Sequence, residues 1–102
     1  MIVEVLTKNS RIYVLDKRGS TISDNYLSNL GDEILGFSSE AIVFAKRDVI
    51  YVYNENLKEL SHNYISNLGV FKHITGEYLV FHKNSRRYIY DLGLKEVSNQ
   101  YL

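Results

Sequence analysis

At 102 residues, with 12 Lys and Arg against 12 Asp and Glu, the chain holds one domain, because a domain commonly takes roughly 100 to 150 residues. The absence of Cys excludes a disulfide framework, a cysteine zinc site and a thiol nucleophile. Zero net charge offers no global field to draw in nucleic acid or an anionic membrane. Apolar residues make up 45% and aromatics 13%, nine Tyr among them, which is the composition of a globular chain. Glu4 and Lys8 interrupt the opening MIVEVLTK before a signal-peptide core can form, and no apolar run approaches the roughly 20 residues of a membrane span. A cytoplasmic protein away from the membrane is therefore expected.

Along the chain, one pattern recurs. Ile12 to Gly31 (IYVLDKRGSTISDNYLSNLG) and Ile50 to Gly69 (IYVYNENLKELSHNYISNLG) agree at ten of twenty positions at an offset of 38. At an offset of 37, Tyr51 to Ile65 meets Tyr88 to Leu102, sharing Tyr51/Tyr88, Tyr53/Tyr90, Leu57/Leu94, Ser61/Ser98 and Tyr64/Tyr101 among others. The apolar residues come in short β-branched and aromatic runs punctuated by Gly, Asn, Ser and Asp, which predicts strands and turns rather than helices. In chain order the expected strands are 2–7, 11–16 and 20–23 in repeat 1 (1–31). They are 33–38, 41–46, 49–54 and 58–61 in repeat 2 (32–69), and 70–75, 78–83, 86–91 and 95–98 in repeat 3 (70–102). Each repeat is an antiparallel meander of about 38 residues, and the fold class is all-β within a single domain, 1–102.

The repeated IYV, YVY and YIY cores with their trailing KEL and KEV resemble β-propeller blades in spacing. The resemblance covers the whole chain and is architectural. It implies half a propeller, or half of a dimeric six-bladed ring, since closure takes about four blades or more. No Trp is present, so the Trp-Asp signature of one large propeller class is missing and no propeller activity carries over. If the repeats stack face to face, only the middle one needs two apolar faces. Pairing Thr7 with Ile12 puts Val3, Val5, Ile12 and Val14 on one face of repeat 1, and Glu4, Leu6, Tyr13 and Leu15 on the other. Repeat 2 is apolar on both: Ala41, Val43, Ala45, Ile50 and Val52 against Ile42, Phe44, Tyr51 and Tyr53. Glu4 breaks one face of repeat 1, and His82 and Arg87 break the opposite face of repeat 3. An open, monomeric stack is the favoured expectation, because burying an unpaired charge costs several kcal/mol. A homodimer that pairs Glu4 with Arg87 is the alternative.

Meander topology also sorts the loops. One end collects Lys8, Arg11, Lys46, Arg47, Lys83, Arg86 and Arg87 against fewer acids, and the other collects Asp16, Glu40, Glu55, Glu77 and Asp91 against Lys17 and Arg18. Such polarity can steer a charged partner. The ordinary reading, that charged residues populate turns and solvated edges, stands beside it. Tyr13, Tyr51 and Tyr88 form one repeated position and Tyr26, Tyr64 and Tyr101 another. Packing between repeats is expected of both, and sugar stacking is the alternative. His62 and His82 are the weak case for acid/base work on a phosphodiester. No Ser/His/Asp spacing, metal-ligand cluster or glycine-rich phosphate loop occurs, so the expectation is no enzyme and no cofactor.

Protein binding is the expected class. The size and solitary domain resemble the immunity proteins of bacterial contact-dependent toxin systems, which implies inhibition of a cationic toxin nuclease. The partner-binding residues would be Asp16, Glu40, Glu55, Glu77 and Asp91, with Lys46, Arg47, Lys83 and Arg86 as the alternative binding end. The second reading is a carbohydrate-binding lectin that closes as a dimeric six-bladed ring.

Overall fold

The computed structural model describes all residues, 1–102. Eleven strands form three antiparallel sheets, one per sequence repeat. Repeat 1 contributes β1 (Glu4–Lys8), β2 (Arg11–Leu15) and β3 (Thr21–Tyr26). Repeat 2 contributes β4 (Glu33–Phe37), β5 (Ile42–Lys46), β6 (Val49–Tyr53) and β7 (Glu59–Tyr64). Repeat 3 contributes β8 (Val70–Thr75), β9 (Tyr78–Lys83), β10 (Arg86–Asp91) and β11 (Glu96–Tyr101). Each sheet is a meander in chain order, and Thr7 pairs with Ile12 as the hydrophobic alternation requires. The last strand of every sheet shifts register at the same place, opposite Val14/Leu15, Val52/Tyr53 and Ile89/Tyr90. Such a bulge increases local twist.

Turn chemistry explains the hairpins. Asn9 and Ser10 sit at φ 52° and 66°, and Asn84 and Ser85 at 53° and 63°. Two consecutive left-handed residues make the turn whose twist matches paired strands, and Asn tolerates that conformation well. At the opposite end, Asp16 Oδ1 accepts from the backbone N–H groups of Arg18 and Ser20. Asn54 does the same for Asn56 and Lys58, and Asp91 for Gly93 and Lys95. These turns hold Lys58 and Lys95 out of the strands, correcting the expected strand starts at 58 and 95.

The last strands also run further than expected, to Tyr26, Tyr64 and Tyr101 rather than to residues 23, 61 and 98. Asn25 and Asn63 end the first two of them. Each side-chain oxygen accepts from the next residue's N–H at 2.7 Å and from Asn29 or Asn67 Nδ2 at 2.9 Å. A short 3-10 turn (Leu27–Asn29) or a four-residue helix, α1 (Ile65–Leu68), then leads to the next sheet. Gly69 ends the crossover at φ 100°, where an added Cβ would meet His82 O at 2.5 Å.

The sheets stack face on face. Ile12 and Val14 of repeat 1 pack with Ile42, Phe44 and Tyr53 of repeat 2, and Ile2 and Leu30 complete that core. On the other side of repeat 2, Ala41, Val43, Ala45, Ile50 and Val52 pack with Leu79, Phe81, Tyr90 and Leu94 of repeat 3. Edge-on ring contacts repeat in the two cores: Phe44 on Tyr53 at 5.3 Å and Phe81 on Tyr90 at 5.4 Å between centroids. Ser23 Oγ donates to Glu55 O across the first contact, and Ser61 Oγ to Leu92 O across the second. The first strands of repeats 2 and 3 converge, since Gly36 lies where a Cβ would be 3.5 Å from the Phe71 ring. Glu4 and Arg87 are exposed and His82 is half-buried on the two outer faces. No helix is long and apolar enough to cross a membrane.

Candidate functional site

In each four-strand repeat, the turns between the first and second and between the third and fourth strands, with the β2–β3 turn of repeat 1, form one margin of the stack, and they place the five acidic candidates. Asp16 and Asp91 are turn acceptors, as described above, in a position that neutral Asn54 fills equally well. The turn needs an oxygen and not a charge, so the charge of both aspartates is surplus to the fold. Glu55 Oε1 accepts from the Met1 amino group at 2.7 Å. That hydrogen bond is the largest cause holding the amine above its ordinary pKa, and Glu40 and Asp16 add smaller Coulombic contributions. Asp16, Glu40 and Glu55 thus lie around one amine. Glu77 and Asp91 line a separate shallow hollow with Tyr78, Leu92 and Gly93.

Lys58 and Lys95 join this margin, as does the Met1 amine, which the sequence reading did not count there. Glu4, Glu59 and Glu96 join it too, because they pair with Leu15, Tyr53 and Tyr90 at the ends of the third strands of their repeats, counted in the four-strand order. Acids still outnumber cations on it.

The alternative end is more self-contained. Arg86 donates to Asn99 Oδ1, and its guanidinium lies 3.8 Å from the Tyr101 ring centroid. Lys83 Nζ donates to Asn67 O at 3.2 Å. Arg47 sits at φ 55°, its N–H on Asp32 Oδ2 at 2.8 Å. Lys46 is half-buried at the end of β5. Arg11 is bonded to Asp24 and lies 4.4 Å over Tyr26, and the Asp24 bond raises its pKa further. Guanidinium groups already engaged by carboxylate, amide and ring have fewer donors free for a ligand.

The tyrosine series divide. Tyr51 and Tyr88 pack between sheets, stacked on Tyr53 at 6.3 Å and on Tyr90 at 6.2 Å, and Tyr13 is half-buried on the outer face of repeat 1. Tyr26, Tyr64 and Tyr101 are instead 51%, 59% and 77% exposed. That overturns the expectation of packing between repeats for this second series, whose rings lie at the solvent-exposed far end of each last strand, two of them against the guanidinium groups of Arg11 and Arg86.

The two histidines do not meet. His62 lies on the face of repeat 2 that looks toward repeat 1, with Nδ1 at 2.7 Å from Glu59 Oε2 and its ring 5.4 Å from Tyr51. His82 pairs with Arg87 on the outer face of repeat 3. Those faces point in opposite directions along the stack, so the arrangement considered for proton transfer is not assembled. No group of three or more His, Cys, Asp or Glu side chains converges as a metal would need. Residues that sequence reasoning missed are Ser23 and Ser61, whose hydroxyls tie one repeat to the next. Their recurrence at one repeat position was the available signal. Compared with protein-family models, curated proteins and solved structures, the chain gives no significant match.

Proposed function

We propose that this chain is a non-enzymatic protein-binding module that inhibits its partner by covering it, in the manner of a cytoplasmic immunity protein against a cationic toxin nuclease. The observation that carries this reading is the acidic margin. Asp16, Asp91 and Glu40 sit on turns held by backbone N–H groups donating to side-chain oxygens, and Glu77 on the two-residue turn between paired Thr75 and Tyr78. A rigid charged margin loses little conformational freedom on binding. Its charge speeds encounter with a basic surface and weakens with salt over about 8 to 10 Å. A lectin reading has one observation in its favour, the exposed tyrosine at the same position of every repeat.

The test uses immobilised chain and extract of the native host. A captured protein whose nuclease activity falls when free chain is added supports inhibition. Glu40→Lys with Glu77→Lys should weaken that capture at least tenfold and flatten its salt dependence, while Lys46→Glu with Arg47→Gln leaves it unchanged. The reverse pattern would assign binding to the basic end. Retention on a glycan array, lost on replacing Tyr64 and Tyr101 by Ala, would establish the lectin reading instead.

A further inference from the structure

Both internal contacts are built by one rule: the β-branched face of one repeat lies on the aromatic face of the next. Applying the rule once more leaves two faces unpartnered. Repeat 3 ends on a β-branched face, where Thr75, Tyr78, Val80, Ile89, Val97 and Ser98 line an apolar groove. Repeat 1 begins on a face of the other kind, bearing Leu6, Tyr13 and Leu15.

From these two faces we infer that a second copy of this chain seats repeat 1 in the groove of repeat 3, and that the reciprocal contact closes a two-chain ring of six sheets. Residue size is the first reason. Between repeats 2 and 3, small residues oppose large ones. On the outer face of repeat 3, Tyr78 stands where Ala41 does in repeat 2, His82 where Ala45 does, Arg87 where Ile50 does and Ile89 where Val52 does. All four are larger. On the outer face of repeat 1, Leu6 stands where Phe81 does in repeat 3, Leu15 where Tyr90 does, Glu4 where Leu79 does and Gly19 where Leu94 does. All four are smaller. A face that only met water would have no reason to grow on one side as the other shrinks, whereas close packing across a contact conserves total volume.

Charge is the second reason. The additions to the repeat 3 face are Arg87 and His82 and the addition to the repeat 1 face is Glu4, which is complementary in sign. The third reason is a hydrogen bond with a vacant counterpart. Ser23 donates to Glu55 O and Ser61 to Leu92 O, each the second residue of the following repeat's turn. Ser98 is exposed on the groove wall, and by the same correspondence its acceptor is Lys17 O of the second copy. Six sheets fall within the range of about four to eight at which such blades close on themselves. Closure also separates this assembly from an open head-to-tail filament.

Sedimentation equilibrium over a concentration series should give twice the chain mass of 11.9 kDa. Ile89→Glu in the groove and Leu15→Glu on the opposing face should each halve that mass, with circular dichroism unchanged. Mixing the two variants should return a heterodimer of lower affinity, because one of the two contacts in the mixed pair is intact. A chain that stays at 11.9 kDa throughout, a dimer that Leu15→Glu leaves whole, or a mass that climbs without limit would each overturn the inference. Glu40 and Glu77, the residues changed in the binding test above, lie on turns rather than on these faces, so that test can fail or succeed independently.

Discussion

Repeats 1 and 2 are written from one template, and their differences follow from their neighbours. Repeat 2 is covered on both faces, and Ile42, Val43, Phe44 and Val52 are fully buried in it. Repeat 1 is covered on one. Its Ile12 and Val14 are equally buried, yet Leu6, at the Phe44 position, is 42% exposed. The turns show the same contrast. Leu57 and Leu94 hold left-handed conformations at φ 57° that disfavour any side chain larger than Gly. Leu94 is buried and Leu57 packs against the first core. Repeat 1 has Gly19 there, at φ 77° with open space around it. Burial of a leucine, about 1.5 to 3 kcal/mol, outweighs a left-handed penalty of roughly 1 to 2 kcal/mol, but only where another sheet supplies the surface.

Truncation tests this contrast most directly. Phe44→Ala and Phe81→Ala should each cost about 3 to 5 kcal/mol, as buried phenylalanines do. Leu6→Ala at the equivalent position should fall within about 0.5 to 1 kcal/mol of wild type in the monomer, read by urea unfolding. Equal losses in a chain kept monomeric by Ile89→Glu would mean that repeat 1 is covered on both faces within a single chain. Glycines give the next largest effect. Gly69→Ala should cost about 2 to 4 kcal/mol, because a left-handed backbone and a carbonyl oxygen in the way both oppose it. Gly19→Ala faces only the conformational penalty, about 1 kcal/mol.

Serine substitutions sharpen the comparison further. Ser61→Ala should cost about 1 kcal/mol by removing a hydrogen bond between sheets. Ser98→Ala should leave the monomer's urea midpoint unchanged.

The smallest effect concerns pH. Burial raises the phenols of Tyr53 and Tyr90, with a lesser contribution from nearby Glu59 and Glu96 respectively. Their folded pKa values therefore exceed the unfolded value of about 10. That contribution to stability is complete below the unfolded pKa and is lost as pH rises through the folded one. Unfolding should ease above about pH 10, and Tyr53→Phe with Tyr90→Phe should flatten that alkaline limb.

How far the sequence carried can be judged from particular residues. The first pairing, Thr7 with Ile12, followed from the alternation of apolar residues, because one register alone puts Val5, Ile12 and Val14 on one face. The final strands were legible only in part. Asn25-Tyr26 and Asn63-Tyr64 read as loop, since Asn favours turns, but the pairing of Tyr26 with Arg11 and of Tyr64 with Val49 keeps the chain extended. The acidic candidates could be assigned to one margin by topology. Which of them are turn acceptors and which are free could not, because an Asx turn depends on backbone that the side chain itself helps to shape.

Repeat length, strand order and the two-faced apolar character of the middle repeat were determined by the sequence alone, since period and alternation are local properties of a chain. Tertiary structure decided which copies of a repeated residue are buried and which are exposed. Phe81 and Leu6, Ser61 and Ser98, Leu94 and Gly19 occupy the same position in their repeats and differ in what lies opposite. A residue's environment there is set by the next sheet in the stack, 37 or 38 residues away in the chain.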